Sequence, residues 1–267
     1  MRHALKIAYD GTNYFGFQVQ KDRPTVQGVL LNAFRELGIT KKFFYASRTD
    51  KGVSALGQTI SFFSDSSLVE PKIINSVLPP DIKVIAHGNP PPEFNPRRVK
   101  RKWYRYVCLD ENFDIERLED AIEILTGTHD FRNFCKRECR NPVLTLEKIE
   151  FKKNDKVILF DFYAKRFLWT MIRRIVTVLR KVSLKIMSLE ELELLLKEEC
   201  VKKPEPSDPH CLILMETYYD NTKFKYDKEA IDFFKKYIEK KIFMHLSRHY
   251  TYETISEFIE GLMWQKG

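Results

Sequence analysis

The stretch HALKIAYDG (residues 3–11) alternates apolar and polar side chains through Ala4, Leu5, Ile7 and Tyr9 before meeting Asp10-Gly11. That is the pattern of a half-buried strand running into a turn. Downstream, Thr25 has the chemistry of a helix N-cap, and Val26, Val29, Leu30, Ala33, Phe34 and Leu37 recur at helical spacing until Gly38. A short strand over 43–46 leads into SRTDKG (47–52), and a second strand covers 59–63. Pro71 opens a short helix through Ile73, Ile74, Val77 and Leu78, bounded by Pro79-Pro80. Ile82, Val84 and Ala86 then alternate as a strand that stops before Pro90-Pro91-Pro92.

The resulting order, β-α-β-β-α-β, is that of a ferredoxin-like unit. The same order recurs, larger, beyond the prolines. A strand over 103–109 precedes a helix capped by Asp114, carrying Leu118, Ala121, Ile122 and Leu125, and ended by Gly127. Strands over 144–151 and 157–164 are joined by the turn Asn154-Asp155. A helix spans 167–182, Ser188 and Glu191 form a capping box for the next, and a strand over 212–218 closes the unit. The expectation is an α+β protein. Two ferredoxin-like lobes with antiparallel or mixed sheets, residues 1–92 and 93–220, should flank a central basic cleft. A helical extension over 221–267 should form two amphipathic stretches, at 231–242 and 252–264.

The chain has 267 residues, with 45 Lys+Arg against 37 Asp+Glu, and the net charge of +8 favours a polyanionic partner. Hydrophobic content of 43% excludes a disordered chain. The residues open on a strand pattern without an apolar signal core, and the apolar run at 167–179 is broken by Arg173 and Arg174. A soluble cytoplasmic protein without a membrane partner is expected. Five cysteines (Cys108, Cys135, Cys139, Cys200 and Cys211) cannot all pair within one chain, which fits a reducing compartment. Cys135 and Cys139 lie near His129 in sequence, but no second Cys/His pair follows, so no metal site is expected. Residues 10–18 lack the ending and glycine spacing of a phosphate-cradling loop.

Three segments could carry chemistry. Residues 97–105 hold six cations (Arg97, Arg98, Lys100, Arg101, Lys102, Arg105) interleaved with Trp103 and Tyr104, and no carboxylate. Cations that hold phosphates beside an aromatic ring that stacks on an unpaired base favour nucleic-acid contact over a solvated basic face. On strand alternation Lys102, Tyr104 and Tyr106 share one face. In the second segment, Arg48 and Asp50 point the same way from extended backbone, and Gly52 permits a sharp turn after them. A carboxylate kept ionised by a cation can act as nucleophile or base. On the residues alone, a surface turn with a local ion pair is the stronger reading of this segment. In the third, Leu168, Ile172, Ile175, Val176 and Leu179 line one helix face. Arg173 falls at the margin of that face beside Trp169, either reaching into a cleft or snorkelling over the core edge. Arg174 is expected on the far side, in solvent.

Taken together, YDGTNYFGFQ (9–18), TVQG (25–28), SRTDKGVSALGQ (47–58), the basic stretch from Phe94 to Tyr106 ending KWYRY, and FLWTMIRRIV (167–176) resemble the TruA family of tRNA pseudouridine synthases. The likeness runs in order from residue 1 to about 219. KGVSA (51–55) and HDFRNFC (129–135) resemble its archaeal and eukaryotic side.

The resemblance implies two ferredoxin-like lobes around a basic cleft that isomerise uridine to pseudouridine without cofactor or metal. It implies the anticodon stem-loop of tRNA, positions 38–40, as target, and a homodimer holding one tRNA. By the same resemblance Asp50 is the catalytic carboxylate and Arg48 helps displace the target nucleotide. Tyr104 stacks on the base, Arg173 pairs with the aspartate, and Leu212 lines the pocket. Phosphates fall to Arg97, Arg98, Lys100, Arg101 and Lys102. Ser54, Thr177 and Cys211 depart from the family's usual His, Gly and Gly. The tail from about 222 has no counterpart in its shorter members. The alternative is a non-catalytic structured-RNA-binding protein or RNA chaperone on the same scaffold.

Overall fold

The computed structural model describes residues 1–40, 42–136, 140–197 and 202–264, so Cys139 and Cys200 lie outside it. The first half runs β1 (Arg2–Tyr9), α1 (Val26–Glu36), β2 (Phe44–Tyr45), β3 (Ser54–Phe63), α2 (Pro71–Val77) and β4 (Ile82–Gly88). Thr25 caps α1 by accepting from the Gly28 N–H, and Val26, Leu30, Ala33 and Phe34 are the buried face. The strands lie in the order β4-β1-β3-β2, each antiparallel to its neighbour.

The second half runs β5 (Arg101–Leu109), α3 (Ile115–Leu125), β6 (Gly127–Asp130), β7 (Val143–Leu146), β8 (Lys148–Asn154), β9 (Val157–Ala164), α4 (Met171–Ser183), α5 (Leu189–Lys197) and β10 (Leu212–Tyr218). Its strand order, β10-β5-β9-β8, repeats that of the first half. The strand expected over 144–151 divides at Glu147: β7 leaves to pair with β6, while β8 joins the main sheet through β9. The capping box forms, with the Ser188 N–H donating to Glu191 and the Glu191 N–H to the Ser188 hydroxyl.

The two halves do not carry separate sheets. β3 is long enough to pair with β2 near its end and with β10 at its start, where Ile213 and Leu214 run parallel to Ser54 and Ala55. One nine-stranded mixed sheet therefore crosses the whole chain. One apolar core, including Ile7, Phe34, Ile60, Phe160, Phe162, Ile175 and Leu179, backs it without interruption.

Beyond β10, β11 (Lys225–Tyr226) adds an edge to β4, and a single helix, α6 (Lys228–Trp264), replaces the two expected. No glycine or proline separates the two apolar stretches, and the hydroxyls of Ser247, Thr251 and Thr254 bond back to carbonyls one turn earlier. Among the described residues the helix is anchored along its first third, where Ala230 and Phe234 are buried, Phe234 packs on Ala8 and Ile85, and the Tyr237 hydroxyl donates to Asp10 at 3.0 Å. Ala8 and Ile85 alternate with the core-facing Ile7, Tyr9 and Val84, so α6 lies on the opposite sheet face. No described helix is long and apolar enough to cross a membrane.

Candidate active site

Residues 47–53 leave β2 and turn into β3, and the segment 9–18 braces them from behind. Phe17 N–H donates to the Thr49 carbonyl, Gly52 N–H to that of Tyr14, and the Tyr9 and Thr49 hydroxyls are 2.7 Å apart. Gly16 makes this fit possible: at φ +94° it presses on the Thr49 carbonyl, which a Cβ would meet at 2.7 Å. Gly52, at φ +83°, lies equally close under the His210 ring. Ser54, one of the departures, accepts from the Gly11 N–H at 3.0 Å and ties the brace to the start of β3.

The loop carries Asp50 to the floor of a cleft of about 1160 Å³ between the two halves. Arg173 Nη1 donates to Asp50 Oδ2 at 3.1 Å, and the Trp169 indole Nε1–H donates to Oδ1 at 2.7 Å. Arg173 is itself held by the Ser207 carbonyl at 2.6 Å. The hydroxyl of Thr177, a second departure, joins that of Ser207 at 2.7 Å, fastening the same segment to α4. Arg48 is exposed at the same cleft and makes no ion pair with Asp50 among the described residues. Arg173, and not the neighbouring Arg48, supplies the counter-charge.

Tyr104, buried on β5, packs edge-on against Phe167 at 5.2 Å and lines the cleft with Leu212. Burial, reinforced by the charge of Asp50, pushes its phenol up to about 12, so it stays protonated. Lys102 shares its strand face; its Nζ donates to the Ala46 carbonyl at 2.9 Å. Burial, then the charge of Arg97, lowers its pKa to about 8.

The basic stretch does not act as a block. Lys102 and Arg97 reach the cleft, whereas Arg98, Lys100 and Arg101 do not line it. Lys100 pairs with Asp220, Arg101 with Glu147 and Arg105 with Asp161, all carboxylates brought from other parts of the chain. Arg174 also departs from expectation. It is 7% exposed, donating to the Thr170 hydroxyl at 2.9 Å and to the Pro204 carbonyl. Segment 202–208 covers the side of α4 that periodicity leaves to solvent.

The helix expected over 167–182 starts only at Met171, because Thr170 adopts φ +66°. The bend projects Trp169 toward Asp50, a contact that spacing alone did not reveal. Lys136 and Arg166 complete the rim. Among the described lining residues Asp50 is the one carboxylate, facing eight lysines and arginines. Such a site attracts a polyanion and sets one carboxylate among its cations. No group of three His, Cys, Asp or Glu able to hold a metal occurs among the described residues. His129 instead places Nε2 3.0 Å from the Thr126 carbonyl.

A family model described as tRNA pseudouridine synthase matches residues 121–220. A protein of Thermococcus sibiricus named tRNA pseudouridine synthase A is 40% identical over 256 residues, covering 90% of this chain and 96% of its own length. The protein of that name from Archaeoglobus fulgidus is 36% identical, covering 92% and 94%. The one from Methanothermobacter thermautotrophicus is 35% identical, covering 97% and 96%. A match spanning 97% of this chain necessarily includes most of residues 221–267, so this relative, of similar length, carries a counterpart of the tail.

Proposed function

The chain belongs to the tRNA pseudouridine synthase family, and on that premise we propose that it isomerises uridine in the anticodon stem-loop of tRNA, positions 38–40, with Asp50 as the reacting carboxylate. The observation that carries this reading is Asp50, the one carboxylate among the described residues of a cleft that carries eight lysines and arginines, with both its oxygens held by donors. The reaction breaks the N1–C1′ bond, turns the uracil and joins C5 to C1′; the C5 proton leaves and N1 takes up a proton from solvent. An ionised carboxylate at the sugar serves as nucleophile at C1′ or as base at the adjacent carbon.

The target nucleotide must leave its stack, at a cost of a few kcal/mol. Arg48, exposed and without a carboxylate partner among the described residues, is suited to occupy the vacated place. Tyr104, protonated and edge-packed on Phe167, offers the base a face, and Leu212 closes the pocket beside it. Arg97 and Lys102 take phosphates at the cleft. Arg98, Lys100 and Arg101 extend the same track outside it, the latter two through side chains whose present ion pairs are solvent-exposed. The repeated strand order supports two ferredoxin-like lobes, 1–92 and 93–220, with 221–267 as an extension. Cytoplasmic action as a homodimer completes the reading and rests on the family resemblance.

The test is tritium release from tRNA labelled at uridine C5. Wild-type chain should release label from the anticodon stem-loop. Asp50→Asn should release none while binding tRNA within about threefold of wild type, since it keeps shape and loses only the reacting charge. Release by Asp50→Asn at the wild-type rate would remove Asp50 from the reaction. A binding protein without catalysis would show no release from either.

A further inference from the structure

We propose that Trp169 is a positioning residue for the Asp50 carboxylate; this rests on the assignment of Asp50 above. Its indole N–H holds Oδ1 at 2.7 Å while Arg173 holds Oδ2 at 3.1 Å, so the carboxylate plane is set by donors on both sides. With Arg173 alone the group could turn about its Cβ–Cγ bond and keep the ion pair. The indole, a donor without acceptor capacity, removes that freedom. Each carboxylate oxygen has room for two partners, so the indole leaves a second direction on Oδ1 free for the sugar.

The chain around Trp169 is built to hold the ring there. Thr170 occupies the left-handed region at φ +66°, a strained choice for a threonine. Its hydroxyl donates to the Trp169 carbonyl at 2.6 Å and accepts from Arg174 Nε at 2.9 Å. The Lys136 N–H donates to the same Trp169 carbonyl at 3.1 Å, and the Lys136 ammonium lies 4.7 Å from the centre of the indole. The buried Arg174 thereby acts through Thr170 on the ring that meets Asp50. The indole remains 43% exposed, so its placement answers to Asp50 more than to the core.

Single-turnover tritium release at saturating tRNA tests this with two variants. Trp169→Phe keeps an aromatic ring and loses the donor. Trp169→His places its Nε2–H where the indole Nε1–H stands. Losing a hydrogen bond to a charged group predicts that Trp169→Phe is slower by about 10- to 100-fold. Its affinity for tRNA should stay within about twofold, and Trp169→His should recover most of the rate. A wild-type rate in Trp169→Phe, equal loss in both variants, or a loss confined to affinity would each overturn the proposal. Asp50→Asn in the same assay separates the two readings. If it turns over, the assignment of Asp50 fails; if it is inactive while Trp169→Phe is normal, only the role of Trp169 fails.

Discussion

Lys102 stands on the cleft wall with its Nζ on the Ala46 carbonyl, and burial beside Arg97 has brought its pKa down to about 8. It is charged at pH 7 and loses its proton as pH rises through 8, so its hold on a phosphate weakens in that window. Binding a phosphate favours the charged form, and the complex takes up a proton near pH 8. The affinity of wild-type chain for tRNA should therefore fall between pH 7 and 9 more than that of Lys102→Arg, which stays charged; fluorescence anisotropy at constant salt reads this. The two neighbouring arginines of α4 should separate cleanly. Arg173→Ala should abolish tritium release with little effect on folding. Arg174→Ala, which leaves the Pro204 carbonyl buried without its donor, should lower urea stability by about 2–3 kcal/mol. Periodicity places Arg173 at the stripe's margin and leaves open whether it reaches the cleft. It misplaces Arg174 because the partner carbonyl comes from a segment with no period to read.

Among the elements, the loop 47–53 and its brace 9–18 form one unit, and their glycines are its tightest points. Gly52→Ala would hold an alanine at φ +83° with its Cβ 2.8 Å from the His210 ring. A cost of about 1–3 kcal/mol and a displaced Asp50 are expected, seen as a lower melting temperature together with slower tritium release. α6 makes the opposite case. At 1.5 Å per residue it is about 55 Å long, yet Ala230 and Phe234 are its buried residues and everything described beyond Ile242 is exposed. Phe234→Ala should cost about 2–3 kcal/mol, at or below the low end for a buried phenylalanine because its cluster is small. Ending the chain after Lys241 should leave the melting temperature of the body unchanged. Both helical stretches of the tail were legible from apolar spacing; their fusion follows from an absence of breakers between them.

At the scale of the molecule, the parallel pairing of β3 with β10 joins the two halves into one sheet and sets the cleft across the joint. Local patterning determined most of the order of strands and helices, their caps and the basic stretch, while the candidacy of Asp50, Tyr104 and Arg173 came from the resemblance of their motifs to a family. Each of those depends on residues within a few turns of one another. Tertiary structure alone decided that one sheet crosses the chain, that Lys100, Arg101 and Arg105 have carboxylate partners, and that Trp169 and Arg173 share Asp50. The carboxylate and its two donors are 119 and 123 residues apart, and their meeting depends on how the halves pack. Periodicity reports which face of an element is apolar; it carries no information about which distant polar atom will stand opposite.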